Sequence, residues 1–199
     1  MALLLLWRPD TGQQKLHERG RGRVRIGIDG RALERKRTGV ARYLLSLLRV
    51  WAKEHQVHEY YLYFEHDTPV DLSFGEACFT KRLLTRLPLL KENVRELVWE
   101  QTILPLAASR DCVDLLFSPA YTTPALFGGA TAVTIHDLSY EAHPEWSRPP
   151  QRWKLRSLSR LAARKSSAIL TDSDFSKQDR KSTRLNSSHI QKSRMPSSA

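Results

Sequence analysis

Cysteine is scarce in this 199-residue chain, which contains only Cys78 and Cys112. Two cysteines cannot build a disulfide framework, and they are too few for a structural zinc site, which takes about four ligands. Both lie in mixed apolar surroundings, so we predict small buried side chains in a reducing compartment. The histidines show no metal-ligand spacing, and we predict neither a metal nor another cofactor.

Long apolar runs are also missing. No stretch reaches the ~18 residues that a membrane span needs. The apolar opening at residues 2–7 is too short for the core of a signal peptide and has no basic residues before it. We therefore predict a cytoplasmic protein that can work at the inner face of the membrane, and we interpret residues 1–23 as a disordered extension.

Two glycine-rich nucleotide motifs are absent from the loop at residues 30–39. The loop lacks the second and third glycines of the dinucleotide fingerprint and the Gly-Lys-Ser/Thr of a P-loop. It does place Gly39 and Val40 at the start of a predicted helix, where N–H groups and the helix dipole attract anions such as phosphate. An anion site at Gly39 and a plain structural turn fit the sequence equally well.

Acidic residues number 21 against 32 lysines and arginines, which gives a formal charge of +11. Residues 1–25 and 179–199 each carry a surplus of four positive charges, so residues 26–178 keep only +3. A nucleic-acid-binding domain concentrates basic residues on a folded face, whereas basic flanks are often only solvated. We therefore predict no specific nucleic-acid partner.

The last 21 residues have an unusual origin. Residues 179–189 and 193–199 correspond to the translation, in one consistent frame, of a widely used sequencing adapter separated by a barcode-sized gap. We interpret residues 179–199 as an artefactual disordered tail and exclude them from the fold. On this interpretation the natural gene continues beyond residue 178.

Short apolar runs alternate with amphipathic segments in the middle of the chain. Pro105 must kink the second of the predicted helices or end its regular part. The alternation predicts an α/β Rossmann-like domain over residues 24–178, with helices on both faces of a parallel sheet. The predicted strands are 24–29, 59–64, 77–84, 113–117, 130–135 and 167–171, and the predicted helices are 40–51, 91–110 and 149–165.

In such sheets ligands bind outside the carboxyl ends of the strands, near the switch in strand order. Three loops therefore matter, and they follow Asp29, Phe117 and Ile135. The basic helix at 149–165 could also touch anionic lipid. For that helix an ordinary solvated face is the favoured interpretation.

Three side chains at these loops are candidates for chemistry. His136 could hydrogen-bond a sugar hydroxyl or carry a proton, although a structural histidine that caps the strand also fits. Asp137 either contacts a substrate or shapes the loop through its own backbone hydrogen bonds. For Tyr121, simple packing is favoured over stacking on a sugar.

Six motifs in consistent order resemble retaining glycosyltransferases of family four, and the resemblance covers residues 24–178. They are IGIDGR (26–31), TGVARY (38–43), DLLFSP (114–119), VTIHDL (133–138), HPEW (143–146) and ILTDSDFS (169–176).

The resemblance implies the N-terminal half of a GT-B fold, in which two Rossmann-like domains face each other across the active site. It implies transfer of a sugar, mannose being one candidate, from a nucleotide-sugar to a glycan or lipid-linked acceptor. Gly39 would approach the donor phosphates and His136 would lie beside the transferred sugar. The chain departs from the family in having no paired-Glu motif and no second domain, so we expect the 199-residue chain to be inactive.

A non-catalytic module that binds a phosphorylated small ligand through Gly39 is the alternative. A gene that encodes roughly 180–200 further residues with donor-site motifs would decide for the enzyme.

Overall fold

The fold is built on one mixed sheet. The computed structural model describes residues 4–7, 22–34, 38–55, 57–67, 71–75, 78–84, 91–136 and 149–171. Its strands are β1 (Leu4–Trp7), β2 (Arg25–Asp29), β3 (Glu59–Phe64), β4 (Phe79–Leu83), β5 (Leu115–Ser118), β6 (Ala130–Thr134) and β7 (Ala168–Thr171). Its longer helices are α1 (Gly39–Glu54), α2 (Glu92–Val98), α3 (Leu104–Arg110) and α4 (Pro149–Lys165).

The strands lie in the order β1-β7-β6-β5-β2-β3-β4. Strands β2 to β7 are all parallel to their neighbours, whereas β1 pairs antiparallel with β7 at one edge. The chain moves outwards in one direction from β2 to β4 and then in the other from β5 to β7. The switch point therefore lies between β2 and β5, and the predicted α/β Rossmann-like fold is confirmed.

Helices cover both faces of this sheet. Successive residues of a strand point to opposite faces, so one strand supplies side chains to both helical layers. On one face Tyr60 and Leu62 join the core cluster formed by α1. On the other face Tyr61 and Tyr63 pack with the cluster around Trp99 and α3, and β6 and β7 pack against α4. The amphipathic pattern of the sequence thus matches two separate layers of helices.

A π-helical segment, Trp99–Ile103, joins α2 to α3. The N–H of Leu104 donates to the carbonyl of Trp99, five residues back, and Pro105 lies in the first turn of α3. Proline has no N–H, and its ring clashes with the carbonyl four residues earlier, so a regular α-helix cannot continue through it. The predicted break at Pro105 is confirmed, and the wider turn buries Trp99 and Glu100.

Two predictions differ from the structure. Within the extension predicted for residues 1–23, Leu4–Trp7 forms a strand, because its backbone can pair with the open edge of β7. The prediction of two buried cysteines is wrong: Cys112 is exposed and Cys78 only partly buried. Cys112 lies in the tight turn after α3 with φ of 53°, which turns its side chain away from the core.

Several predictions fall outside the described residues. Asp137 and the tail at 179–199 both lie there. Within the described part of the chain, no helix is long and apolar enough to cross a bilayer.

Candidate functional site

The carboxyl ends of β2, β5 and β6 meet at one edge of the sheet, beside the switch point. The loops that follow β2 and β5 leave in opposite directions, because the chain after β2 crosses to β3 and the chain after β5 crosses to β6. Loops that diverge in this way open a crevice in which parallel α/β sheets bind their ligands. We call this edge the rim.

His136 follows β6 at the rim. Its Nε2 lies 2.9 Å from the carbonyl oxygen of Pro119. Because a carbonyl only accepts, Nε2 carries the hydrogen and Nδ1 is the basic nitrogen of the neutral ring. His136 therefore ties the end of β6 to the loop after β5, which is a structural role beside any chemical one.

Two aromatic rings stand edge-on to the imidazole of His136. The centroid of Tyr43, from α1, lies 5.0 Å away, and that of Tyr121 lies 5.9 Å away. The hydroxyl of Tyr43 also hydrogen-bonds the side chain of Thr134 at 3.1 Å. The three rings come from three separate parts of the sequence, and together they form one aromatic group.

Tyr121 holds an unusual backbone conformation, with φ of 50°. Left-handed backbone at a bulky residue costs on the order of 1–3 kcal/mol and is found mostly at functional or tightly constrained positions. Its N–H donates to the carbonyl of Thr134 at 2.8 Å. The residue packs against a buried hydrophobic cluster that contains Val133 and Ile135. Tyr121 thus packs against the core, which was the interpretation favoured from the sequence, and its ring also contacts that of His136.

The first turn of α1 stands next to this aromatic group. The hydroxyl of Thr38 accepts from the N–H of Ala41 at 3.1 Å and caps the helix. Gly39 is exposed, has no positive φ, and a β-carbon built there meets no atom within 4 Å. Among the described residues, neither crowding nor strain therefore requires glycine at position 39.

Gly39 and Tyr43 are four residues apart on α1, so they lie on the same side of the helix, one turn apart. Since Tyr43 touches His136, the first turn of α1 and the imidazole border the same part of the rim. The structure thus brings Tyr121 and His136 together, and it places Gly39 and Val40 one turn away from Tyr43, which contacts His136. Asp137, the fifth candidate, lies outside the described residues.

Sequence reasoning missed a buried charge cluster at the β2 end of the rim. The guanidinium of Arg31 binds the carboxylate of Asp29 through Nε at 3.0 Å and a terminal nitrogen at 2.6 Å. The same terminal nitrogen reaches Glu100 at 3.0 Å, and the guanidinium lies 4.5 Å from the ring centroid of Trp99. Of the two ion pairs, only that of Arg31 with Asp29 joins residues that are near in sequence, so it alone could have been inferred.

The cluster holds one cation against two carboxylates. Burial alone would lower the pKa of Arg31, but Asp29 and then Glu100 outweigh it and hold the pKa above its ordinary value. Arg31 thus stays charged, and the buried cluster keeps one net negative charge when both carboxylates are ionised.

Gln101, next in the π-helical segment, supports the loop after β5. Its amide nitrogen donates to Glu100 at 3.0 Å and to the carbonyl of Thr123 at 3.3 Å. Its amide oxygen accepts from the N–H of Ala125 at 2.8 Å. The charge cluster below β2 and the loop that carries Tyr121 are therefore joined through one π-helical turn, a feature that is often found at functional sites.

The described residues hold no cluster of three or more histidine, cysteine, aspartate or glutamate side chains that could bind a metal ion. No protein-family model matches the chain, and no curated protein sequence matches it.

Proposed function

We propose that residues 24–178 form the acceptor-side domain of a retaining glycosyltransferase that moves a sugar from a nucleotide-sugar to a glycan or lipid-linked acceptor. The observation that carries this proposal is the contact of His136 with Tyr121 and with Tyr43 of α1 at the rim, beside the switch point. The resemblance of six motifs in order supports it independently.

Each group would have a distinct task in that reaction. The first N–H groups of α1, at Gly39 and Val40, have no partner inside the helix and suit the leaving diphosphate. His136 would hydrogen-bond a hydroxyl of the transferred sugar or hold a proton during transfer. Tyr121 would offer an apolar ring edge to a sugar ring, as aromatic side chains do in carbohydrate sites.

The test is a substitution of His136 in the enzyme assembled with a donor-binding domain. His136→Ala should lower turnover by about 10²–10⁴ if the imidazole takes part in proton handling. His55→Ala is the matched control, because the exposed His55 follows α1 at the opposite edge of the sheet. Near-normal turnover in His136→Ala would assign His136 a structural role, which includes its bond to the Pro119 carbonyl.

The 199-residue chain alone should not release nucleoside diphosphate from any nucleotide-sugar, because its sequence contains no paired-Glu motif. Steady release by the purified chain, abolished by His136→Ala, would contradict this part of the proposal.

The open first turn of α1 favours one alternative, a non-catalytic module that binds a phosphorylated small ligand. NMR titration with a sugar phosphate separates the two. Shifts confined to the amides of Gly39 and Val40 would favour the module, whereas shifts that a neutral oligosaccharide also produces at Tyr121 and His136 would favour the transferase.

A further inference from the structure

Thr134, the last residue of β6, holds two tyrosines through different atoms. Its side chain is fully buried. Its hydroxyl is hydrogen-bonded to that of Tyr43 at 3.1 Å, and either oxygen can be the donor. Its carbonyl accepts from the N–H of Tyr121 at 2.8 Å. The strand end is itself fixed, because the N–H of Ile135 donates to the carbonyl of Leu170 in β7 at 2.9 Å. Thr134 therefore gives α1 and the loop after β5 a common anchor.

Tyr43 contacts the end of β6 at two positions on one face. Ala132 packs in the cluster that contains α1, and residues two apart on a strand share a face. Thr134 therefore points towards α1, where its hydroxyl meets that of Tyr43. His136, two residues further, meets the ring of Tyr43 with the ring centroids 5.0 Å apart and the planes at 88°. One phenol from α1 thus links the buried threonine to the imidazole.

A hydrogen bond holds His136 at one corner of its ring. Its Nε2 donates to the carbonyl of Pro119 at 2.9 Å, and one such bond leaves the plane of the ring free to rotate about it. Contacts with the rings of Tyr43 and Tyr121 restrict this rotation. Tyr43 is the closer of the two, and its hydroxyl is anchored on Thr134. The orientation of the imidazole therefore depends on how firmly Tyr43 is held.

We propose that Tyr43 and Thr134 are positioning residues for His136. The bond between their hydroxyls holds the Tyr43 ring perpendicular to the imidazole, and this contact keeps Nε2 on the Pro119 carbonyl. A tyrosine needed only for packing could turn its hydroxyl towards water, because Tyr43 is only partly buried. Its hydroxyl instead meets a buried threonine 91 positions away in the sequence. Packing alone does not require this bond.

In the proposed transferase the same bond would fix where the imidazole meets a hydroxyl of the bound sugar. A group that moves a proton must lie within hydrogen-bond reach of it, and small misplacements of a reacting group lower the rate. This consequence rests on the proposed function. The positioning of His136 does not, because it is a property of the chain without substrate.

Proton NMR of the full 199-residue chain tests the positioning without any turnover. The Nε2–H signal of His136, identified by its absence in His136→Gln, exchanges with water whenever the imidazole leaves the Pro119 carbonyl. Tyr43→Phe should speed this exchange about fivefold, the effect of one lost hydrogen bond. Thr134→Val should do the same, and the double variant should add nothing, because both changes remove one bond. Absence of the signal from the unaltered chain, unchanged exchange in both variants, or additive effects would overturn the proposal.

Tyr60→Phe is the matched control. It removes a phenol hydroxyl that donates to the carbonyl of His55 at 3.2 Å, beyond the other end of α1, and should leave the exchange at His136 unchanged. An equal acceleration in Tyr60→Phe would assign the effect to general loosening of the fold and overturn the proposal.

Turnover separates this proposal from the proposed function. In the enzyme assembled with a donor-binding domain, Tyr43→Phe should lower kcat about fivefold and leave KM unchanged. Faster exchange at His136 with normal kcat would support the positioning and contradict the chemical role of His136. Unchanged exchange with a lowered kcat would contradict the positioning and leave the proposed function intact.

Discussion

Arg31 is the shared cationic partner of two buried carboxylates. Asp29 is about nine-tenths buried, as is Glu100, and both rest on the same guanidinium. A buried charge without its partner is far more costly than an exposed one, because the protein interior solvates it poorly. The stability of the β2 end of the rim therefore depends on a single cation.

Replacing that cation should be severely destabilising. Arg31→Met leaves the two carboxylates uncompensated and should lower the free energy of unfolding by about 3–5 kcal/mol. Arg82→Met is the matched control, since Arg82 pairs with Asp111 near the surface and should cost less than about 1 kcal/mol. Urea unfolding of both variants measures the difference. Equal losses in the free energy of unfolding would show that the buried cluster stabilises the fold no more than the pair near the surface does.

The sequence predicted the regular elements well, because each depends on local pattern. The tyrosine-rich run at 59–64 predicted β3 at its observed bounds, and helical spacing predicted α1 to within three residues at each end. The strand at Leu4–Trp7 was missed because it forms by pairing with β7, more than 160 residues away. The ion pair of Arg31 with Glu100 was missed for the same reason, since its partners are 69 positions apart. The chemical roles of His136, Tyr121 and Gly39 stay predictions.

The π-helical segment should control how firmly the loop after β5 is held. Gln101→Leu removes the acceptor of the Ala125 N–H and the donor to Thr123, and a lost hydrogen bond of about 1 kcal/mol corresponds to roughly fivefold faster exchange. Hydrogen exchange at Ala125 measures this change. Thr102→Val, in the same segment but with its hydroxyl bonded only to the Val98 carbonyl among the described residues, should leave that amide unaffected. Equal protection in both variants would mean that Gln101 does not support the loop.

At the scale of the whole molecule, β3 inserts tyrosines into both helical layers. Burial, with a smaller contribution from Cys78, raises the pKa of Tyr60 to about 12. On the other face, burial and then the hydrogen bond to Asp111 raise the pKa of Tyr63 above its ordinary value. Both phenols keep their protons to a higher pH in the folded chain than in the unfolded chain, so unfolding at high pH is coupled to their deprotonation.

Stability should therefore fall as the pH rises. Between pH 10 and about 12 an unfolded chain loses the Tyr60 proton while the folded chain retains it. This difference stabilises the unfolded state relative to the folded state. Denaturant midpoints should decline through this window, and more gently in Tyr60→Phe, which has no proton to lose. The two proteins are compared at pH 8 as the reference, where both rings are neutral. Parallel declines would mean that Tyr60 does not contribute to alkaline unfolding.

Cys112 provides a site for chemical coupling at the edge of the sheet opposite the rim. The exposed thiol lies in the turn before β5, and a four-residue strand spans about 13 Å. A maleimide dye or a solid support coupled there would sit a strand length away from Tyr121 and His136. Such attachment would leave the crevice facing the solution, open to any sugar or phosphate added there.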